Sequence, residues 1–204
     1  AASAVGGADV ARVLPAVRVL AYAGPPVEDS QLIRGVVLDV TPTEQSRPLL
    51  VSPPVPHGRA ARTRWTLALY DVSLEPSLGA DAGASIAMLG ARASADAAGA
   101  SERLLADFAD GLAAAGVQVV ATQQRLAPAL SRLLAAREIA AIPRLSLRHI
   151  GAVRRLSGAE AISSLTPPRA DQLGALGEIR YIFADRRELL HLSPPPDAPA
   201  PPAG

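Results

Sequence analysis

The sequence predicts a mixed α/β domain in which strands come first, a β–α–β–α segment follows and a hairpin closes the chain. Three observations predict this class. Residues 65–70 alternate apolar and small side chains, as a strand does. Apolar side chains within residues 104–115 recur at the spacing of one helix face. Residues 178–184 and 188–192 are strand-like runs joined by the short turn 185–187, which favours an antiparallel pair.

Strand candidates dominate the first third of the chain. Residues 18–22 are followed by the turn-forming Gly24-Pro25-Pro26, and residues 33–40 are rich in β-branched side chains. A brief apolar segment at 49–51 interrupts a Pro- and Arg-rich stretch, and residues 65–70 form the clearest strand. We therefore expect three strands in this part of the sequence.

Residues 76–100 are a low-complexity stretch of Ala, Gly, Ser and Asp. The composition is compatible with a flexible loop or with a weak helix around residues 85–92. The amphipathic helix that follows has Ser101 as its candidate N-cap and Gly116 as the glycine that ends it. Its predicted buried stripe comprises Leu104, Leu105, Phe108, Leu112 and Ala115.

An alternation of short strands and helices occupies the next forty residues. We predict a strand at 117–121, a helix at 126–137, a strand at 139–142 and a helix at 147–156. Beyond the closing hairpin, the Pro-rich residues 194–204 predict an extended linker or disorder.

The composition excludes several classes of function. Among 204 residues the net charge is +1, so no overall basic or acidic excess indicates nucleic acid or a membrane surface as a partner. All 20 lysine and arginine positions are occupied by arginine. The absence of cysteine excludes disulfides, thiolate catalysis and cysteine-ligated metals. No apolar run reaches the roughly 18–20 residues that a membrane span requires.

Catalytic, metal and cofactor sites are not predicted. No phosphate-binding loop motif and no lysine occur, and no nucleophile on a sharp turn is found. His57, His149 and His191 lie too far apart in sequence to suggest a ligand set. The basic residues 57–64 lack interleaved aromatic side chains, so a solvated loop is the preferred interpretation and an acidic protein partner the alternative.

Residues 28–39 read Glu-Asp-Ser-Gln-Leu-Ile-Arg-Gly-Val-Val-Leu-Asp. They resemble the segment that opens the apical domain of group II (TCP-1-type) chaperonins. Further segments in the family's order are similar to its strands and to the end of one helix; they are residues 65–75, 116–124, 139–144 and 154–158. The resemblance extends from about residue 17 to 192 and implies a chaperonin apical-domain fold, a mixed sheet flanked by helices.

The resemblance also implies a domain organisation. Residues 1–16 would be a remnant of the intermediate-domain linker, residues 17–193 the apical domain and residues 194–204 a disordered tail. Residues 76–100 take the place of the family's charged helical protrusion, yet they contain only Asp81, Arg92 and Asp96 as charged residues. We therefore expect the protrusion to be reduced or disordered, since an exposed long helix is usually supported by charged pairs.

Two departures make the chain similar to the McKusick–Kaufman and Bardet–Biedl group of chaperonin-like proteins. One is the reduced protrusion; the other is Pro143-Arg144, where the family has an Arg-Arg pair. This similarity implies a non-catalytic domain that binds clients or partners during assembly of the ciliary Bardet–Biedl complex, in the cytoplasm and at the centrosome or basal body. The alternative is the apical domain of a conventional ATP-dependent cytosolic chaperonin ring.

By the same resemblance, partners would be unfolded or unassembled proteins and other chaperonin-like subunits, with neither nucleic acid nor membrane. No cofactor is expected in this chain, while ATP would belong to an equatorial domain elsewhere. Clients would bind beside the helix at 126–137. Its side chains expected in the core are Leu126, Leu130, Leu133 and Leu134. Its opposite, client-binding face would present Arg125, Ala129, Arg132 and Ala136.

Overall fold

The computed structural model describes residues 32–50, 64–75, 99–184 and 187–198, together with residues 20, 21, 26, 28 and 30. Within these residues the strands are β1 (Val36–Leu38), β2 (Trp65–Tyr70), β3 (Val119–Thr122), β4 (Ala140–Ile142), β5 (Ala161–Ile162), β6 (Gly174–Leu176), β7 (Ile179–Ala184) and β8 (Arg187–Leu192). The helices are α1 (Arg47–Leu50), α2 (residues 99–114), α3 (Pro128–Ala135) and α4 (Leu147–Ser157), and Ala170–Gln172 form a 3-10 turn.

A five-stranded sheet with β2 at its centre organises the fold. The order is β4-β3-β2-β5, and these four strands are parallel. The fifth strand, β6, pairs antiparallel with the first half of β2, from Trp65 to Leu67, while β5 pairs with Leu69 and Tyr70. Because β3 occupies the other edge of β2, β5 and β6 share one edge and follow each other along it.

The alternation of side chains along β2 builds two hydrophobic cores, one on each face of this sheet. Trp65, Leu67 and Leu69 point into the first core, where α4 and the second sheet also pack. Ala68 and Tyr70 point into the second core, which α2 and α3 cover. Strands buried on both faces in this way are typical of parallel sheets covered on both sides.

A separate three-stranded antiparallel sheet has the order β1-β8-β7. Its hairpin of β7 and β8 pairs Ile179 with Leu192 and Ala184 with Arg187, which confirms the predicted closing hairpin. The strand predicted at 33–40 is real but shorter, spanning Val36–Leu38. Gly35 limits it: its φ is 133°, and a Cβ there would lie 2.2 Å from the Leu192 carbonyl oxygen.

A buried histidine connects all three strands of the small sheet. The Arg180 Nε on β7 donates to the His191 Nδ1 on β8 at 3.2 Å. The His191 Nε2 therefore carries the ring hydrogen and donates to the Arg34 carbonyl oxygen, 3.1 Å away, just before β1. Beside this histidine, Arg47 of α1 pairs with Glu188 and stacks over the Tyr181 ring.

Helix α2 follows its prediction with two corrections. Residues 99 and 100 are already helical, so Ser101 is not the N-cap of α2. Leu104 is 49% exposed and does not belong to the buried stripe, whereas Leu105, Phe108 and Leu112 do. The predicted end of α2 is confirmed, since Gly116 follows it with φ 71°; α4 also ends at a left-handed glycine, Gly158 with φ 74°, which was not predicted.

The helix predicted at 126–137 is shorter and spans Pro128–Ala135. Pro128 favours a start at this point because its fixed φ suits the first helical turn and its missing N–H is not needed there. Leu126 instead forms an isolated bridge with Leu74. The chain leaves the helix at its other end through Glu138, whose φ is 57°.

Smaller differences concern strand bounds and short segments. The strand predicted at 117–121 is Val119–Thr122, and Leu49 and Leu50 of the brief apolar segment belong to α1. The strand predicted at 18–22 falls largely outside the described residues, and Leu20 and Ala21 have no regular structure. Strand β6 was not predicted, because Gly174-Ala175-Leu176 carries no β-branched side chain.

The predicted linker remnant at 1–16 and most of the segment at 76–100 lie outside the described residues. Of the predicted tail at 194–204, only residues 194–198 are described: residues 196–198 form a turn, and Asp197 accepts a hydrogen bond from Arg64 at 2.8 Å. None of the helices in the described ranges combines the length and apolarity of a membrane span.

Candidate functional site

A shallow groove runs between α2 and α3 on the outer side of the second core. Its volume is about 590 Å³. One wall comes from the first half of α2 and the other from α3. The lining residues are Gly99, Glu102, Arg103, Ala106, Ala129, Arg132 and Leu133.

The wall from α3 is set by the burial of the opposite side of this helix. Leu130 and Leu134 are fully buried against the sheet. Ser131 is also buried, and its hydroxyl donates to the Gln45 Oε1 at 3.2 Å. Since residues three and four apart share a helix face, this burial turns Ala129 and Arg132 outward into the groove.

The wall from α2 is positioned by aromatic and aliphatic packing. Phe108 meets Tyr70 of β2 edge to face, with ring centroids 5.7 Å apart and an angle of 74° between the rings. The Tyr70 hydroxyl donates to the Thr166 carbonyl oxygen at 2.9 Å, and burial raises the pKa of this phenol. With this side anchored, Glu102 and Arg103 project from the opposite side of α2.

An ion pair connects Asp110 of α2 with Arg137, which follows the end of α3. The Arg137 Nε donates to the Asp110 Oδ1 at 2.7 Å, and the Arg137 Nη1 donates to the Leu133 carbonyl oxygen at 2.9 Å. The hydrogen bond from Arg137 lowers the pKa of the Asp110 carboxyl group. Because Asp110 is largely exposed, solvent screens this pair and its contribution is mainly to alignment.

The structure separates the four residues predicted to form the client-binding face. Ala129 and Arg132 line the groove, whereas Arg125 and Ala136 do not. Arg125 precedes α3, with its Nε 3.6 Å from the Glu75 Oε2, and Ala136 follows the helix as its C-cap. The shortened helix is the physical reason for both displacements.

Four polar or small lining residues of α2 were missed from the sequence: Gly99, Glu102, Arg103 and Ala106. The signal was present, since the helical stripe in this segment leaves these positions on the opposite side. The apolar periodicity of each helix could not show that α2 and α3 lie next to each other. Leu133, assigned to the core, is only half-buried and contributes apolar surface to the groove.

The arrangement is suited to binding rather than to covalent chemistry. Its lining combines alanine and leucine side chains with two guanidinium groups and one carboxylate. Arginine stems can cover apolar surface, while their N–H groups donate to carbonyl or carboxylate oxygens. Within the described ranges, no three His, Asp or Glu side chains are grouped to hold a metal ion.

Comparisons with known proteins place the fold. The chain has the mixed α/β fold of a group II chaperonin domain, because it matches the open-state monomer of a group II chaperonin from Methanococcoides burtonii with a TM-score of 0.55 and 16% sequence identity. Residues 2–193 match the model of the TCP-1/cpn60 chaperonin family, and the chain belongs to that family. No curated protein matches this chain.

The structural match also defines how much of a chaperonin this sequence represents. It covers 83% of this chain but only 33% of the Methanococcoides burtonii chain. The sequence thus corresponds to about a third of that chaperonin subunit.

Proposed function

We propose that this chain is the apical domain of a chaperonin-type protein and that the groove between α2 and α3 binds segments of non-native or unassembled polypeptides. The observation that carries the proposal is the groove between these two helices. Its lining combines apolar side chains with the charged groups of Arg103, Arg132 and Glu102. An open groove of this kind accepts varied sequences, because few of its contacts demand one particular side chain.

The proposed mechanism is non-catalytic. Ala129, Ala106 and Leu133 would contact apolar side chains of a client, and removal of that surface from water would contribute about 25 cal/mol per Å². Arg103 and Arg132 would donate hydrogen bonds to carbonyl oxygens and acidic side chains of the same segment. No ATP site is proposed in this chain, so nucleotide-driven motion would come from other domains of the parent protein.

In its finer form, the proposal assigns the parent protein to assembly of the ciliary Bardet–Biedl complex in the cytoplasm and at the basal body. The sparsely charged residues 76–100 and the Pro143-Arg144 pair support this assignment. The alternative is a subunit of an ATP-dependent cytosolic ring. Purified Bardet–Biedl subunits and denatured actin, offered in competition, distinguish the two: preference for actin would favour the conventional ring.

The groove can be tested with two alanine-to-glutamate variants of the same chain. Ala129→Glu places a carboxylate in the groove, and we expect it to weaken binding of a fluorescently labelled denatured polypeptide by about tenfold. Ala136→Glu is the matched control, because Ala136 is exposed just beyond the end of α3 and outside the groove. Fluorescence anisotropy titrations give both dissociation constants.

Circular dichroism of both variants checks that the fold is retained. Equal binding by Ala129→Glu and the unmodified chain would contradict a client site in the groove. Loss of binding in both variants would equally contradict it, since the effect would then not depend on the groove.

A further inference from the structure

The outer face of α4 is a basic surface that the client groove does not explain. Val153 is fully buried and His149 nearly so, which places the centre of the opposite side near Arg148, Gly151 and Arg155. Arg148 and Arg155 are exposed, and Leu147 at the start of the helix is 75% exposed. This basic face of α4 therefore combines arginines, a small residue and an exposed leucine.

The placement of charge on α4 is unfavourable for the helix itself. Its first turn contains no acidic residue and includes Arg148, at the end where the helix dipole favours negative charge. Arg154 and Arg155 in the last turn are favourably placed, so the dipole accounts for them but not for Arg148. The dipole thus gives Arg148 no stabilising role within α4, and its charge is open to an interaction outside the helix.

The charges of this face are also not neutralised nearby. Helix α4 contains no aspartate or glutamate. The ion pairs found in the described part of the chain connect other arginines, such as Arg47 and Arg137, and include none from α4. A partner that brings carboxylates would thus meet guanidinium groups that are available for pairing.

The geometry points to an acidic amphipathic helix of a partner protein as the ligand of the basic face of α4; we propose this as a second binding surface. Arg148 and Arg155 are two turns apart, about 10.5 Å along the axis. They match carboxylates two turns apart on a second helix. Between them, a Cβ on Gly151 would meet only Arg155, at 3.7 Å, so another backbone can approach closely. Leu147 offers contact to an apolar side chain.

A polypeptide fits this face better than nucleic acid does. Nucleic-acid surfaces combine a broad basic stripe with aromatic side chains that stack on bases. The basic face of α4 has no aromatic residue, is confined to one helix and exposes a leucine. Each of these features suits a helix with acidic and apolar positions.

This surface is separate from the proposed client groove. Helix α4 packs on the first core through Val153, Ile150 and Leu156, whereas α2 and α3 pack on the second core. The two surfaces therefore lie on opposite faces of the five-stranded sheet. Both can be occupied at the same time, and the loss of one leaves the other intact.

The test uses the whole chain and a designed helical peptide as the probe. The peptide carries glutamates spaced to face Arg148 and Arg155 together with one leucine; its matched control has glutamine at each glutamate. By fluorescence anisotropy we expect Arg148→Glu with Arg155→Glu to weaken binding of the acidic peptide about tenfold or more, and binding to fall as salt screens the pairs. Ala136→Glu, which adds a carboxylate outside both the client groove and α4, serves as the control and should bind the peptide unchanged.

A second variant separates binding from folding. Gly151→Met removes a helical glycine, so it should raise the free energy of unfolding slightly while its side chain blocks close approach and weakens peptide binding several-fold. Equal affinity for the acidic and glutamine peptides would overturn the proposal. So would undiminished peptide binding by the double arginine variant, or single-stranded RNA binding the basic face of α4 more tightly than the acidic peptide does.

Discussion

The two sheets of this domain are stabilised by different kinds of interaction. The five-stranded sheet is buried on both faces by aliphatic side chains from β2, β3 and β4. The three-stranded sheet also buries Leu38, Leu190 and Leu192 in the first core, but it depends in addition on a glycine that allows close backbone contact, on a buried histidine with two polar partners, and on Arg47 over Tyr181. The first sheet should therefore respond to lost apolar volume, and the second to backbone geometry and protonation.

The largest effect is expected from truncating the centre of the five-stranded sheet. Leu67 is fully buried on β2, and Leu67→Ala should lower the free energy of unfolding by about 2–5 kcal/mol. Leu104→Ala is the matched control because Leu104 is 49% exposed, and it should change stability by no more than about 0.5 kcal/mol. Urea denaturation followed by circular dichroism measures both. Similar losses would mean that burial does not distinguish the two positions.

A smaller effect is expected from adding one methyl group to the three-stranded sheet. Gly35→Ala would place a Cβ against the Leu192 carbonyl oxygen at a backbone conformation that alanine disfavours. We expect a loss of about 1–3 kcal/mol, with faster amide exchange in β1 and β8 than in β2. Gly151→Ala is the control, since that helical position is open and should gain about 0.5–1 kcal/mol. An unchanged exchange rate in β1 would contradict the close contact.

The smallest expected effect is a pH dependence of the free energy of unfolding that arises in the three-stranded sheet. Burial, reinforced by the charge of Arg180, lowers the pKa of His191 below its usual value, while the Arg34 carbonyl and Glu178 oppose this shift. The unfolded chain then binds a proton before the folded chain does as the pH falls. The contribution of His191 to stability is therefore present above about pH 6.5 and is lost as the pH falls through its lower folded pKa.

Denaturation curves between pH 8 and pH 5 test this dependence. His191→Gln should reduce the acid-induced loss of stability, whereas Leu104→Ala should retain it. If the stability of His191→Gln depends on pH as that of the unmodified chain does, the hydrogen bonds of His191 do not control the stability of the small sheet.

The contrast between the sheets also explains what the sequence could predict. The strand at 65–70 was assigned correctly from its alternation of apolar and small side chains, and the strand predicted at 139–142 is one residue shorter, Ala140–Ile142. Strand β6 escaped prediction because its three residues acquire their conformation from pairing with β2. Strand β1 was predicted too long because the contact at Gly35 is with residues far along the chain.

The candidate site was predictable only in part for a similar reason. The periodicity of residues 126–137 placed Ala129 and Arg132 on the outer side of their helix, and the structure finds them there. It could not show that Pro128 begins the helix after Arg125, or that α2 supplies the second wall with Arg103 and Glu102. Periodicity reports which side of a helix is polar but not which other helix lies beside it.

The position of β2 at the centre of its sheet has a consequence for biosynthesis. Every strand that pairs with β2 comes later in the chain, in β3, β5 and β6, and the last of these ends at Leu176. During translation, β2 cannot complete its pairing until residues 174–176 have left the ribosome. Such distant pairings fold slowly and leave an aggregation-prone strand exposed. This domain would therefore need protection from aggregation while it is being made.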